Sequence, residues 1–341
     1  MGGGVVSDFR TVEGFEDVWR PVAQPRRTPA RVLRPGRDDA RARLSRIARR
    51  APEVMVKVTG RTRSGPHLKA HLDYISRNGM LDLEDDQGAR LQGRDDVADL
   101  ARDWAAQAEL DRTRRSNSPM SHSIILSMPA GTDPQALRLA ARAFAREIFE
   151  DRFEYVFALH TDADHPHVHL SVRSSGVHGE RLNPKKPDLE LWRQVFAEVL
   201  RERGVEAEAT PRRARGVTRR AERQALRQMA DRSRAAAAGP SRAHREAMKE
   251  AAAAAFGADA ALRPWEKMIG RQQARVRSLY LQQAALLDRS PDAGDRELAA
   301  LVRAFVKEMP APDSRRLALA RALRDLSGRL EPQPQEKGRD R

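Results

Sequence analysis

Residues 160–170 read His160-Thr161-Asp162-Ala163-Asp164-His165-Pro166-His167-Val168-His169-Leu170, and the reading of the whole chain turns on them. The protein has 9 histidines, and four of them fall inside these eleven residues. YVFAL precedes the stretch and SVR follows it, both rich in strand formers. The spacing predicts two antiparallel strands joined by a turn of about six residues. Alternate side chains of a strand share a face, so His167 and His169 point one way and Val168, Leu170 and Val172 point into a core. His160, at the end of the first strand, is returned by the turn to a place opposite the pair. Three imidazoles on one side of an ion leave positions open for water or substrate, the pattern of a catalytic site. Asp162 or Asp164 is expected to orient a ligand histidine through its second nitrogen. A different chemistry is also written here: His165, His167 and His169 spell H-x-H-x-H, as in histidine-triad nucleotide hydrolases, which need no metal. Pro166 and Ser171 stand where that pattern has large apolar residues.

Charge narrows the partner. Among 341 residues, Lys and Arg total 63 against 48 acids, giving a net charge of +15 and a pI near 10.9. A polyanion is implied, nucleic acid first and an anionic membrane second. Aromatics make up only 5%, so base stacking is not the main mode along the whole chain. There is no cysteine, hence no disulfide and no thiolate ligand. No apolar run approaches the roughly 18 residues of a membrane span. The opening MGGGVVSDFR has neither a signal-peptide layout nor the Ser or Thr of a myristoylation signal. A cytoplasmic location is expected.

Upstream of the histidines, VMVKV (54–58) reads as a strand and GRTRSGP as a loop presenting Arg61 and Arg63. Pro66 opens a helix, PHLKAHLDYISRNG, that buries Leu68, Leu72 and Ile75 and carries His67, His71 and Tyr74 on another face. Tyr74 is one of only 3 tyrosines and stands among Lys69 and Arg77. A phenol near phosphate-binding cations can attack phosphorus once its proton is taken. His67 and His71 have zinc spacing without the glutamate of HExxH. Residues 82–95 read as an acidic loop, 95–110 as an amphipathic helix, 121–128 as a buried strand and 134–149 as a helix capped by Thr132 or Asp133. After the hairpin comes a basic loop with Lys185 and Lys186, suited to phosphates, and then a helix capped by Asp188.

The organisation expected is a flexible basic arm over 1–51 with a short helix possible from Asp38 to Arg50, a nuclease domain over 52–216, an Arg/Ala-rich helical region over 217–330 and a disordered tail over 331–341. The helical region reads equally as a second DNA contact, a partner-docking module or a secretion-targeting segment.

Three blocks now stand in order: LDYISRNG with Tyr74, SHSIILSMPAGTDP, and HTDADHPHVHLSV. Together they resemble the relaxases of conjugative plasmids, in the HUH endonuclease superfamily, and most of all the mobilisation branch that includes the border-nicking enzyme of T-DNA transfer. The resemblance covers about residues 52–216. It implies an α+β fold with a central antiparallel sheet flanked by helices, beside the all-α C-terminal region. It implies Tyr74 as nucleophile, His160, His167 and His169 as ligands of one divalent ion, and Asp162 as the assisting carboxylate. The ion implied is Mg²⁺ or Mn²⁺, and three neutral nitrogens also suit Zn²⁺. DNA contacts are expected from Arg61, Arg63, Lys69, Arg77, Ser127, Arg173, Lys185 and Lys186. The family often has Asn-Arg after the last strand, where this chain has Arg173-Ser174-Ser175. The activity implied is nicking and rejoining of single-stranded DNA at a transfer origin, through a 5′-phosphotyrosine link. Accessory DNA-binding proteins and a type IV secretion coupling protein are the implied partners, with passage alongside the DNA into a recipient cell as a further implication. A plain basic DNA-binding protein without catalysis is the remaining alternative.

Overall fold

Alternation of apolar and polar residues over the strands, and apolar stripes on the helices, build a layered α+β domain in the computed structural model. It describes residues 9–19, 40–219, 239–257 and 261–330. The chain divides into two units: Met1–Phe9 with Arg20–Thr210, and Arg10–Trp19 with Pro211–Arg341.

In the first unit the elements are α1 (Ala40–Ala48), β1 (Met55–Thr62), α2 (Gly65–Ile75), β2 (Leu83–Asp85), β3 (Arg90–Leu91), α3 (Gly93–Leu110), β4 (Ser121–Ser127), α4 (Pro134–Phe149), β5 (Tyr155–His160), β6 (His167–Arg173) and α5 (Lys186–Arg201). The six strands form one sheet in the order β1-β4-β6-β5-β2-β3, and every pair is antiparallel. Val168, Leu170 and Val172 are fully buried and pack with Ile124, Leu126, Val56 and the inner stripes of α4 and α5. Phe144, Phe149, Trp192 and Phe196 meet edge-to-face in this core. On the opposite face, α2 and α3 bring Leu68, Leu72, Ile75, Val97 and Trp104 against Val156 and Ala158. That second layer packs on β5 residues, and the histidines of β6 lie beside it.

Two expectations change. Residues 82–95, read as an acidic loop, contain the hairpin β2–β3, which extends the sheet beyond β5 through Glu84 opposite Phe157. Glu84 is nearly buried, and Arg138 and Arg142 of α4 bind its carboxylate. The acid that made the segment look like loop is an internal ion-pair partner. The N-terminal arm is also corrected where it is described. Arg43 and Arg46 of α1 pair with the buried Glu208 at 3.7 and 2.9 Å while Leu44 and Ile47 are buried. Phe15 is fully buried in the second unit, 4.6 Å from the Trp19 ring and 5.3 Å from that of Tyr280. Two aromatics four residues apart outweigh the Arg, Gly and Pro around them, because each buries a large apolar area. Residues 1–8, 20–39, 220–238, 258–260 and the expected tail 331–341 lie outside the described residues.

The second unit holds four helices among the described residues: α6 (Arg242–Phe256), α7 (Pro264–Asp288), α8 (Ala293–Lys307) and α9 (Arg315–Leu330). Tyr280, Ala284 and Leu287 of α7 and Val302 and Phe305 of α8 are buried, and the Tyr280 and Phe305 rings lie 5.4 Å apart. Glu266 at the start of α7 is buried and pairs with Arg316 of α9 at 2.6 Å, and Ser314 donates a further hydrogen bond to it. Those bonds, first that of Arg316, hold its carboxyl down to about 2. No helix of the described residues is long and apolar enough to cross a membrane.

Candidate active site

The β5–β6 hairpin sets His160 directly opposite His167 in the sheet register, and His169 opposite Ala158. Opposed residues of an antiparallel pair share a face. Ala158 belongs to the α2–α3 face, so His169 does too, and His167, two residues away, joins it. The ring centroids of His160, His167 and His169 lie 4.5 to 5.3 Å apart. One ring nitrogen from each falls within 4.8 Å of the others, the one such group of three metal-ligating side chains found among the described residues.

Which nitrogens face inward follows from the bonds the others make. Nε2 of His160 is 2.7 Å from the Ile75 carbonyl oxygen, which can only accept, so Nε2 carries the hydrogen. Nδ1 of His167 likewise donates to its neighbour's carbonyl, that of His165, at 3.1 Å. Nδ1 of His160 and Nε2 of His169 are left buried and without a hydrogen-bond partner. Such orphans cost roughly 1–3 kcal/mol each unless something fills the space. A divalent ion between the three rings would satisfy both, so the donor set fits a metal. Burial, then the neighbouring His160, His167, His71 and Arg77, push the His169 pKa down to about 3. Burial also lowers that of His160, against the opposing hydrogen bond to Ile75. Neutral imidazoles are the form a metal binds.

Tyr74 stands on the last turn of α2, 55% exposed, with its ring 5.5 Å from that of His169 and 6.5 Å from that of His160. Leu72 and Ile75, fully buried, fix the helix so that the phenol overhangs the cluster. The chain then turns through Arg77, Asn78 and Gly79 with φ of 53°, 56° and 80°. Side chains rarely adopt this left-handed region, and a residue held in it costs of order 1–3 kcal/mol. A Cβ on Gly79 would meet the Gly93 and Arg94 backbone at 2.5–2.7 Å, so only glycine lets this turn lie against the start of α3. The turn brings the Arg77 guanidinium 5.6 Å from the Tyr74 ring centre and into an ion pair with Asp162. Asp162 Oδ1 is 4.0 Å from Nδ1 of His160.

The aspartates do not orient the ligands as expected. Backbone carbonyls of Ile75 and His165 take the second nitrogens of His160 and His167, and Asp162 pairs with Arg77. Carbonyls are present at every residue, so no sequence signal marked these two. His165, the first histidine of H-x-H-x-H, accepts a hydrogen bond from the Ala130 amide at 3.0 Å and is outside the cluster. His67 and His71 form no metal group either; His71 Nε2 is hydrogen-bonded to Ser123 Oγ at 2.9 Å.

The expected DNA contacts divide between two faces. Lys69 shares α2 with Tyr74 and is paired with Asp73 at 2.7 Å, and Arg77 stands in the turn that follows the helix. Ser127 adjoins His167 in the register but is only 6% exposed, and its hydroxyl donates to the Pro166 and Met128 carbonyls. Buried and turned onto these carbonyls, it offers no hydroxyl to the surface. Arg173 is at the far end of β6, six residues or ~20 Å from His167, and is paired with Glu154 at 2.9 Å. A bulge between Val58 and Gly60 places Arg61 opposite His122, on the α4–α5 side of the sheet. Arg61 and Arg63 line a shallow cavity there with Pro184 and Leu189, next to Lys185 and Lys186 at the start of α5. These four cations therefore belong to the reverse of the histidine face.

His122 gives the domain a pH dependence of its own. It is 1% exposed, hydrogen-bonded through Nδ1 to Ser174 Oγ at 3.0 Å, and burial, then Arg61, push its pKa from 6.5 down to about 4. The folded state binds fewer protons than the unfolded one between those values. Its stabilisation is present above pH ~6.5 and is lost as pH falls toward 4, on the order of 3 kcal/mol in full. The unfolding midpoint of the full chain is expected to drop between pH 7 and 4.5, and less steeply in His122→Gln. Equal slopes in the two proteins would exclude His122 as a contributor.

Residues 74–205, which contain Tyr74, Asp162 and all three clustered histidines, match the family described as Relaxase: MobA/VirD2-like, nuclease domain. This is a relaxase domain similar to VirD2. The T-DNA border endonuclease VirD2 of Rhizobium radiobacter is 30% identical to it over 188 residues, 49% of this chain and 44% of that protein. VirD2 of Agrobacterium fabrum is 29% identical over 188 residues, 49% of this chain and 42% of that protein. The chain thus spans less than half the length of these relatives. A solved structure published as "Molecular Basis of Vancomycin Resistance Transfer in Staphylococcus aureus" aligns with 47% of this chain and 98% of its own at 15% identity, with a TM-score of 0.33. The family match begins at Tyr74, so β1 and most of α2 join the relaxase domain through the sheet and the core contacts described above.

Proposed function

We propose that this relaxase domain nicks and rejoins one strand of DNA at a transfer origin by metal-dependent transesterification. The observation that carries the reading is the Tyr74 ring 5.5 Å from that of His169, above a cluster whose inward nitrogens on His160 and His169 have no partner. In the proposed step Tyr74 Oη attacks the scissile phosphorus, forming one P–O bond, while the bond to the 3′ oxygen breaks. The phenol loses its proton, and the departing 3′ oxygen gains one and leaves as a 3′-OH. One phosphoester replaces another, so the 5′-phosphotyrosine link can be attacked in turn by a 3′-OH and the strand resealed.

His160, His167 and His169 would hold the ion, which supplies charge neutralisation at the non-bridging phosphate oxygens when bound. Mn²⁺ and Zn²⁺ suit three neutral nitrogens better than Mg²⁺ does. Arg77 anchors the end of α2 and sets positive charge beside the phenol. Asp162 acts by holding Arg77 in place and so belongs to the site as a positioning residue. Lys69 adds positive charge on the same helix. Transfer between cells, a type IV secretion coupling protein, accessory DNA-binding proteins and a cytoplasmic site of action complete the proposal; what supports them is the likeness to VirD2.

The test is a denaturing gel of the purified chain with single-stranded oligonucleotides tiling the replicon that encodes it, with Mn²⁺, Mg²⁺ or EDTA. A shifted, denaturant-resistant band formed with metal and absent with EDTA is expected. Strand cleavage that persists in EDTA would overturn the metal-dependent reading.

A further inference from the structure

We propose that the exposed face of α7 in the second unit is a separate contact for single-stranded DNA. The chain has 4 tryptophans. Trp19, Trp104 and Trp192 are at most 5% exposed, whereas Trp265 is 51% exposed and Met268, one turn on, is 65% exposed. A large aromatic left in solvent beside a second large apolar side chain marks a binding surface more often than a fold requirement.

The charges around them choose the partner. At about 100° per residue, Trp265, Lys267, Met268, Arg271, Gln272 and Arg275 fall within an arc of about 160° on α7. All six are exposed, while Glu266, Gln273, Val276 and Tyr280 form the buried side. Lys267, Arg271 and Arg275 make no ion pair or side-chain hydrogen bond among the described residues. The acid on this part of the helix, Glu266, is turned inward onto Arg316. Arg263, paired with Glu250 at 3.7 Å, rests its guanidinium 5.3 Å from the centre of the Trp265 ring. Among the described residues this arc of α7 therefore offers three free cations over nine residues, or ~12 Å of helix, with an indole just before them and no exposed anion of its own. A phosphate backbone with unpaired bases matches it: the cations track phosphates and Trp265 stacks on a base, an interaction worth about 1–3 kcal/mol per base. An anionic membrane would also meet the charges and is told apart from DNA by the vesicle arm of the test below, and an acidic protein would leave the indole without a stacking partner.

The inference takes from the nicking reading only that the polymer is DNA, and its test needs no origin sequence and no chemistry. In the full chain carrying Tyr74→Phe, titration with a dT homopolymer is expected to quench the fluorescence of the exposed tryptophan, and Trp265→Phe is expected to abolish that quenching. Replacing Lys267, Arg271 and Arg275 by Gln should lower the salt slope of log K by about 2, from three phosphates at ~0.7 each. At saturating oligonucleotide the same triple variant with Tyr74 restored should still carry covalent capture of an origin strand to the end point of the unaltered chain, which separates failure of this contact from failure of the nuclease reading. Unquenched Trp265, or an unchanged salt slope in the triple variant, would overturn the proposal. So would quenching by phosphatidylserine vesicles in place of dT, which would assign the face to membranes.

Discussion

Replacing Tyr74 by phenylalanine is expected to lower covalent capture of an origin strand by at least ~10³-fold and to leave divalent-ion affinity unchanged. The magnitude follows from losing the attacking oxygen itself: the other two tyrosines, Tyr155 and Tyr280, are buried, and only residual binding and electrostatic effects remain. The unchanged affinity follows from geometry. Tyr74 approaches His169 edge-on at 5.5 Å between ring centres, outside the three-histidine group, and phenylalanine keeps that contact. Tyr74 is exposed, so its hydroxyl is not holding the fold. Rapid-mixing measurement of adduct formation, beside calorimetric titration with Mn²⁺, checks both halves. An adduct that survives the substitution would move the nucleophile to another residue. Cleavage that continues without an adduct would point to water as the nucleophile.

The second large effect is expected at His169. Its Nε2 is buried without a partner, and burial with the crowding of the neighbouring imidazoles pushes its pKa down to about 3, so the ring is neutral near pH 7. His169→Ala removes one of three nitrogens. Changes to groups that merely orient a ligand typically weaken metal binding 10–100-fold, so loss of a ligand is expected to exceed ~10²-fold. Adduct formation should fall with it. His165→Ala provides the comparison, because His165 binds the Ala130 amide and stands outside the cluster. It should retain the affinity for Mn²⁺ of the unaltered chain. Equal Mn²⁺ binding by the His169→Ala and His165→Ala proteins would remove the cluster as the metal site. Circular dichroism of both variants guards against a folding defect, since deleting a buried ring also leaves a cavity.

Arg77 links these two predictions. It is held in a left-handed conformation, rests by the Tyr74 ring and pairs with Asp162 on the histidine hairpin. The helix that presents the phenol is thereby fastened to the loop that follows His160. Proximity of this kind is a large part of what an enzyme supplies to a transfer reaction.

Much of the site was legible in the residues because its parts are close in sequence and periodic. The H-x-H alternation of His167 and His169, with valine and leucine between, fixes both a strand and the face its imidazoles share. The six-residue return from His160 follows from chain length alone. Tyr74 on a helix with Leu68, Leu72 and Ile75 inward was equally local, since helical spacing decides which side is buried. The nuclease domain's core stripes on α4 and α5 are of the same kind.

What the tertiary structure decided are the pairings between distant residues that the chain pattern cannot encode. The acidic run 82–95 became an edge hairpin because Arg138 and Arg142, more than fifty residues later, take up Glu84. Asp162 went to Arg77 and not to a histidine, and the histidines were oriented by carbonyls that every residue possesses. A single bulged residue in β1 put Arg61 on the reverse of the sheet, since strand side chains alternate and one extra residue inverts the face. Phe15 left the apparent arm to pack against Tyr280. Local period and composition set which elements form, and what each charged or aromatic side chain meets depends on burial and partners that only the assembled fold supplies.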